Sequence, residues 1–302
     1  MDASYVSGRD RVEFSVSETV NASLGAASPT SFDSGAVKYE QGVADLTLSR
    51  PMPDVLAGAH LALGLHHRHE EYRSEEGEPA AFFGAGADGF AGFSPAFKGS
   101  RNANAGFADF ELSPVEPLLL TAAFRYDDYD DFGDATTWRA SARYQLAGPL
   151  ALRASIGSGF RAPSLQQQRF RLVSGALDST GNLTAVGTLP VSDPVAQLLG
   201  AQPLKAETSD NIGVGAVLSF GDLSITADWF RISIDDRIIL SEQFGGAAVT
   251  DILAANGITN FRQVRFFSNA AETTTEGYEI AARYRADMPF GATLDAARGY
   301  AY

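Results

Sequence analysis

Apolar and polar residues alternate with a period of two along much of this chain. In the segment Thr136–Leu146, one set of alternate positions is mainly apolar: Trp138, Ala140, Ala142, Tyr144 and Leu146. The other set is polar: Thr137, Arg139, Ser141, Arg143 and Gln145. Successive side chains of a strand point to opposite faces, so the pattern predicts a strand with one apolar and one polar side. The segments Leu118–Asp127 and Leu150–Gly157 repeat it.

Short turns alternate with long polar segments between the predicted strands. The short turns lie near Pro51–Ala57, Ser113–Pro117, Ala147–Pro149, Phe220–Asp222 and Asp287–Phe290. The long segments are Ser17–Gly42, Tyr72–Arg101, Ser158–Leu204 and Asp235–Thr259, with a shorter one at Asp128–Ala135. A transmembrane β-barrel sorts its connections in this way, with short periplasmic turns on one rim and long extracellular loops on the other. Strands of about 9–11 residues would fit the bilayer.

Two smaller features interrupt this rhythm. The alternation slips near Phe230–Ile234, which indicates a bulge or the end of the membrane-embedded part. Asp193-Pro194 resembles a helix N-cap followed by proline at the first helical position. Val249, Ile252 and Leu253 have helical spacing before Asn256-Gly257, a helix end. Two of the long loops are therefore predicted to hold short helices.

Composition excludes several classes of protein. The chain has 302 residues and a net charge of −14, from 23 Lys+Arg against 37 Asp+Glu, which argues against a nucleic-acid binder. The absence of cysteine excludes disulfide scaffolds and cysteine nucleophiles. The most apolar stretch, Val55–Leu65, is too short for a spanning helix. The N-terminus lacks the pattern of a signal peptide, so we expect a cytosolic protein or an interior piece of a longer exported chain.

Five motifs, in order, resemble the barrel of TonB-dependent outer-membrane receptors. The landmark is G-S-G-F-R-A-P-S-L at Gly157–Leu165, directly after an arginine-bearing strand. The others are Phe124–Gly133, Leu204–Gly213, Phe230–Ile238, and Asn269-Ala270 with Glu276–Glu279. The resemblance covers roughly Val43 to Phe290 and implies an all-β, antiparallel transmembrane β-barrel.

The resemblance also implies that only part of a receptor is present. Barrels of that family have 22 strands, whereas about 11 are predicted here, and nothing matches the plug domain or the TonB-contacting segment. We therefore expect residues 1–302 to be a partial barrel domain, truncated at both ends and without its plug. An open arc would leave two unpaired edges, which in lipid would cost on the order of tens of kcal/mol.

The function that the resemblance implies is uptake of a scarce, bulky ligand, such as an iron chelate or cobalamin, across the bacterial outer membrane. The TonB complex would supply the energy, and the partners would be outer-membrane lipid, the plug domain and TonB in the full-length chain. No cofactor, nucleic acid or catalysis is expected. A passive porin-type channel is the alternative. A barrel hydrolase using His60 or His66 is a weaker one, because no Ser/His/Asp arrangement is recognisable.

Six arginines are predicted on the lumen face of the strands: Arg125, Arg139, Arg143, Arg153, Arg283 and Arg285. Four of them fall on three consecutive strands and should form a ladder. Either they pair with acidic groups of the barrel and plug, because an unpaired buried charge is costly, or they guide an anionic ligand down the lumen.

Three further groups are candidate sites. His66, Arg68 and Glu70 would share the lumen face where a strand meets a long loop, which is either a metal or haem site or a solvated strand end. The landmark loop carries Arg161, Arg169, Phe170 and Arg171, a mixture common in ligand contacts. The acidic residues Asp127, Asp128, Asp130 and Asp131 form either a weak cation site or a hydrated loop.

Overall fold

The computed structural model describes residues 1–53, 58–81, 96–177, 183–258, 261–291 and 293–302. Within these ranges the chain forms fifteen strands: β1 (Asp2–Ser17), β2 (Ser31–Pro51), β3 (Ala59–Glu76), β4 (Lys98–Val115), β5 (Leu118–Tyr129), β6 (Gly133–Ala147), β7 (Leu150–Arg161), β8 (Leu172–Leu177), β9 (Leu183–Thr188), β10 (Glu207–Phe220), β11 (Leu223–Leu240), β12 (Phe244–Gly245), β13 (Gln263–Arg265), β14 (Phe267–Asp287) and β15 (Thr293–Ala301).

Eleven of these strands form one antiparallel sheet in the order β1-β2-β3-β4-β5-β6-β7-β10-β11-β14-β15. Each strand pairs with its neighbour along the chain, apart from the excursions that hold β8–β9 and β12–β13. Among the described residues β1 and β15 do not pair with each other, so the sheet is an open arc. The predicted all-β architecture, with about eleven strands of a barrel, is confirmed.

The connections alternate in length as predicted. Only two residues separate β4 from β5, β6 from β7, and β10 from β11. The opposite rim carries the long excursions between β3 and β4, β7 and β10, and β11 and β14. Parts of the predicted connections, at residues 54–57, 82–95, 178–182 and 259, lie outside the described residues, as does the start of the apolar stretch Val55–Leu65.

Apart from β15, the strands of the large sheet are longer than the predicted 9–11 residues, with β2 and β14 reaching 21. The predicted loop Ser17–Gly42 is wrong in its second half, because β2 begins at Ser31 and pairs with β1 as far as Ser17. Likewise β11 continues past Asp235 to Leu240. The hydrophobic pattern did not reveal these extensions, since both faces of the extended parts carry polar residues while the backbone ladder continues.

Of the two predicted causes of the slip in alternation, the bulge at Phe230–Ile234 is wrong. The pairing of β11 with β14 is regular through Ile234, and its register shifts between Ile234 and Arg237 and again between Arg237 and Ile238. Asp236, between Ile234 and Arg237, has φ +53°. The bulge therefore lies beyond Phe230–Ile234, and the apolar residues of that segment face the lumen on a regular strand.

The two faces of the large sheet differ in character. The outward face carries an apolar band, in which Leu63, Ala108, Phe124 and Trp138 form one cross-strand row. Three of these side chains are more than 40% exposed. Large apolar side chains exposed in rows are suited to lipid contact. The opposite face, which we call the lumen face, carries most of the charged side chains that lie level with this band.

A smaller four-stranded sheet, in the order β12-β13-β9-β8, lies in the long excursions. Its core includes Val173, Leu189, Leu253 and Val264, all almost fully buried. The helices are α1 (Leu165–Arg169), α2 (Pro194–Leu198) and α3 (Ala247–Ala255), with 3₁₀ turns at Ala22–Ala27, Pro79–Ala81 and Pro289–Gly291.

Both predicted loop helices are confirmed. The Asp193 side chain accepts a hydrogen bond from the Val195 amide at the start of α2, and Asn256 is the C-cap of α3. In the described ranges, none of the helices has both the length and the apolar character that crossing a membrane requires.

Candidate functional site

The landmark loop folds onto the lumen face at the long-loop end of the sheet. Pro163 follows β7, and Ser164 then caps α1. The Ser164 hydroxyl accepts from the Gln167 amide at 3.0 Å, while the Gln167 side chain accepts from the Ser164 amide at 3.0 Å. This capping box starts a helix of only five residues. The sequence A-P-S-L therefore turns the chain sharply where the strand ends.

Arg101 on β4 fastens this loop to the sheet. Its side chain is 6% exposed, and its Nε lies 2.5 Å from Glu70 Oε2. Its Nη1 donates to the backbone carbonyl of Pro163 at 2.6 Å and lies 3.7 Å from a carboxylate oxygen of Asp131. Gln168 of α1 also donates to Asp131, at 2.7 Å. The loop is thus held by one buried guanidinium and one carboxylate.

Glu70 is the centre of this network and accepts hydrogen bonds from both Arg101 and Tyr39. It lies beyond the apolar band, because its outward neighbours at this height, His69 and Asn102, are polar. Burial raises the pKa of the Glu70 carboxyl, but the hydrogen bonds from Arg101 and Tyr39 outweigh it and hold the pKa below its ordinary value. Glu70 is therefore ionised at neutral pH.

The predicted trio does share the lumen face. His66, Arg68 and Glu70 lie opposite Asp45, Val43 and Gln41 of β2. His66 Nδ1 lies 2.6 Å from Asp45 Oδ1. Arg68 donates to the Tyr129 hydroxyl at 2.7 Å, and its Nε is 3.6 Å from Glu70. Arg68 and Glu70 thus lie within ion-pair distance of each other, whereas His66 pairs with Asp45 on the neighbouring strand.

A cavity of about 460 Å³ opens on the lumen face between β1–β3 and α1. Its apolar wall includes Val12, Phe14 and Leu165, and Glu70 and Arg101 line its polar side. Tyr72 also lines it. Its hydroxyl is buried and has no hydrogen-bond partner among the described residues. Burial raises the pKa of Tyr72 to about 12, so the hydroxyl stays protonated and can donate to a ligand.

The other candidates of the landmark loop lie apart from this cavity. Arg161 forms a two-armed ion pair with Glu207, at 2.9 and 2.5 Å. Glu207 also accepts from the Ile238 amide at 2.7 Å. Arg171 pairs with Asp193 at 2.5 Å. Arg169 is exposed and its stem lies against Gly99, while Phe170 is partly buried.

The predicted arginine ladder lies on the lumen face, with Arg143 directly opposite Arg153. Three members pair with carboxylates: Arg125 with Asp127, Arg153 with Asp228, and Arg283 with Asp295. Arg143 donates to Gln145 at 3.1 Å. All six except the partly buried Arg125 are exposed: Arg139, Arg143, Arg153, Arg283 and Arg285. No other described element of this open sheet covers these five side chains.

The acidic residues at the end of β5 and in the connection to β6 contact different partners. Asp127 accepts from Arg125, Asp130 from Asn102, and Asp131 from Gln168. Asp128 lies on the outward face, in the row of Asn104. Across the part of the chain that the structure describes, no group of three His, Cys, Asp or Glu side chains could hold a metal ion.

Sequence reasoning missed Arg101, Tyr39 and Tyr72. Tyr72 and Arg101 are the first and last residues of a segment predicted to be a long loop, and Tyr39 lies in another such segment, Ser17–Gly42. Arg101 and Pro163 are 62 positions apart. Alternation extended from Ala105 back to Arg101 would have placed Arg101 on the lumen face, but nothing local indicates its partner.

A family model described as the β-barrel of TonB-dependent receptor-like proteins matches residues 4–302. The vitamin B12 transporter BtuB of Vibrio cholerae is 42% identical over 50 residues, which are 17% of this chain and 8% of BtuB. The ferric enterobactin receptor PirA of Pseudomonas aeruginosa is 28% identical over 171 residues, 57% of this chain and 21% of PirA.

Solved structures share the fold. The siderophore receptor PirA of P. aeruginosa has a TM-score of 0.61 at 17% identity, over 90% of this chain and 45% of that one. A mutant of the ferric enterobactin receptor PfeA from the same species has a TM-score of 0.64 at 19% identity, over 99% of this chain and 40% of PfeA. The chain thus spans less than half the length of these receptors.

Proposed function

Because the chain belongs to the TonB-dependent receptor β-barrel family, we propose that it forms part of the wall of an outer-membrane receptor that imports a scarce, bulky ligand. The outer membrane is its location. The energy for import comes from the TonB complex, acting through a plug domain. The ligand passes the lumen chemically unchanged, so the protein is a transporter and not an enzyme.

The observation that carries this proposal is the division of the large sheet into two faces. The outward band meets lipid, and the lumen face presents exposed arginines along several strands. Above them, the cavity beside α1 offers apolar and aromatic surface together with the buried Tyr72 hydroxyl. A bulky ligand with apolar rings and anionic groups suits these surfaces.

Iron chelates and cobalamin are the two ligand classes that the relatives suggest. BtuB is a vitamin B12 transporter, and PirA is a ferric enterobactin receptor. We favour an anionic iron chelate, because five of the six ladder arginines are exposed on the lumen face. The longer PirA match, 171 residues against 50, supports the same choice.

Uptake by cells tests the proposal. The natural gene is expressed in an outer-membrane transport mutant, with and without an intact TonB complex, and uptake of ⁵⁵Fe-labelled catecholate chelate and ⁵⁷Co-cobalamin is measured. We expect saturable uptake of one ligand only when the TonB complex is intact. Uptake that is unsaturable and independent of TonB would instead identify a passive channel and overturn the proposal.

A further inference from the structure

The two longest excursions of the chain share one hydrophobic core. The first excursion, residues 162–206, joins β7 to β10, and the second, residues 241–266, joins β11 to β14. Core residues with almost no exposed surface come from both, namely Val173, Leu189 and Ala196 from the first and Leu253 and Val264 from the second. Each excursion therefore supplies part of the cover that keeps the apolar side chains of the other out of water.

The backbones of the two excursions also pair with each other. Strand β9 of the first runs parallel to β13 of the second, with Gly187 directly opposite Val264. The Leu189 amide donates to the Arg265 carbonyl at 3.0 Å. The Arg265 Nε donates to the buried Thr188 hydroxyl at 2.8 Å. Displacing either excursion alone would leave buried polar groups of the other without partners, which is costly.

The fit between the two excursions is close. An added Cβ at Gly187 of the first would lie 2.8 Å from the Phe261 ring of the second. Helix α2 of the first contacts α3 of the second, and both helices place side chains in the common core. Because close-packed interiors have discrete arrangements, one excursion cannot slide past the other without repacking the core.

The core is also fastened to the strands of the large sheet. Ile238 of β11 belongs to it, as does Phe266, the single residue between β13 and β14. The Ser241 amide donates to the Phe266 carbonyl at 2.9 Å. The Asn269 side chain of β14 makes two hydrogen bonds to the Lys205 backbone, at 2.9 and 3.0 Å. Both excursions are therefore held at the points where they join the large sheet.

We propose that the two excursions form one cooperative cap, made of β8, β9, β12, β13, α2 and α3, in which neither excursion opens or moves without the other. Proteins open locally in contiguous cooperative units, and here the shared core and the β9–β13 pair make both excursions parts of one unit. A ligand that contacts only one excursion would therefore shift the equilibrium of both. This consequence for a ligand rests on the proposed function, whereas the cooperativity rests on the packing alone.

Hydrogen exchange of the protein made from its natural gene, in mild detergent, tests the inference. Leu253→Ala removes a fully buried side chain of the second excursion. We expect the protected backbone amides of β8 and β9, in the first excursion, to exchange at least about tenfold faster. The matched control is Ile252→Ala, one residue away on the same helix, where the side chain is 44% exposed. It should change these rates by less than about threefold.

The reciprocal variant keeps the test decisive if Leu253→Ala does not fold. Val173→Ala shortens a buried side chain of the first excursion, and it should speed exchange in α3 of the second, because coupling between two sites is reciprocal. Strand β6, outside the cap, is the internal reference and should keep its rates in both variants.

Two results would overturn the proposal. Faster exchange confined to the excursion that carries the substitution would show two independent loops. Equal acceleration in β6 would show that the cap is not a separate unit of the sheet. Neither result depends on which ligand is imported, so a failure of the transport assay would leave the cooperative cap intact.

Discussion

Two groups of arginines on the same lumen face have opposite surroundings. Beneath α1, the Arg101 and Glu70 side chains are 6% and 7% exposed and bridge two strands to the landmark loop. On the β7–β11 part of the sheet, Arg153 and Asp228 are 49% and 26% exposed. Both are close ion pairs between an arginine and a carboxylate. What differs is the cover that α1 and its loop provide.

This difference assigns different roles to the two groups. Removing one partner of a buried pair leaves an uncompensated charge and is expensive, whereas an exposed pair contributes about 0–1 kcal/mol. The buried network therefore positions the landmark loop. The exposed arginines contribute little to the stability of this sheet.

Replacing Arg101 by alanine should have the greatest effect on stability. The change removes the guanidinium that hydrogen-bonds to the buried Glu70 carboxylate, leaving Arg68 at 3.6 Å, and removes the donor to the Pro163 carbonyl. We expect the free energy of unfolding to fall by about 3–5 kcal/mol, measured by denaturant unfolding in detergent with tryptophan fluorescence. The exposed Arg139→Ala variant is the control and should change it by less than about 0.5 kcal/mol. Equal effects of the two changes would contradict the difference in stability contribution between the buried network and the exposed arginines.

Replacing Arg161 by alanine should cost less, because this arginine is itself half exposed. The Glu207 carboxylate is nearly buried and would keep only its hydrogen bond from the Ile238 amide. We expect a loss on the order of 1–2 kcal/mol. Hydrogen exchange at the Ile238 amide is the local measurement, and faster exchange is expected there. Unchanged exchange would show that Arg161 does not hold this junction.

Acid should loosen the landmark loop. The folded-state pKa of Glu70 lies below its ordinary value of 4.5. The stabilisation that the ionised Glu70 carboxylate gives to the fold is therefore fully present above pH 4.5. It is lost as the pH falls through the lowered pKa of Glu70. Hydrogen exchange of the backbone amides of residues 164–170, corrected for intrinsic rates, should show that their protection falls below pH 4.5. In Glu70→Gln the same protection should depend less on pH, and an identical profile would exclude Glu70 as the cause.

Neutralising lumen arginines should affect transport without affecting stability. Arg139→Gln combined with Arg143→Gln breaks no ion pair to a carboxylate that the structure describes. We expect unfolding free energy to change by under about 0.5 kcal/mol. Uptake of an anionic iron chelate should fall several-fold and lose part of its dependence on ionic strength. Undiminished uptake would mean that the ladder does not guide the ligand.

The sequence predicted the parts of the fold that lipid imposes. Alternation placed β5, β6 and β7 with the correct faces, because one side of each must be apolar over the thickness of the membrane. It failed beyond the membrane, where β2 continues down to Ser31 without an outward apolar row. There backbone pairing maintains the strand together with side-chain contacts to β3, such as those of Tyr39 with Glu70 and of Lys38 with Glu75.

The candidate site was predictable only in its local elements. The A-P-S-L turn and the lumen position of Glu70 follow from capping chemistry and from period-two alternation. The contacts of Arg101 with Glu70 and with Pro163 join residues 31 and 62 positions away. Such contacts depend on the register between strands and on how α1 folds back, neither of which a single sequence encodes in a readable motif.

The assignment of lipid and lumen faces can be measured directly, because the chain has no cysteine. The variants S141C and A142C place one thiol on each face of β6 in the middle of the membrane. A membrane-impermeant, charged maleimide should label S141C through the lumen in outer-membrane vesicles and leave A142C unlabelled. A fluorophore attached to A142C after denaturation and refolding should be quenched by spin-labelled lipid. Equal labelling of both thiols, or the reverse pattern, would contradict the central claim that this sheet is the wall of an outer-membrane transporter.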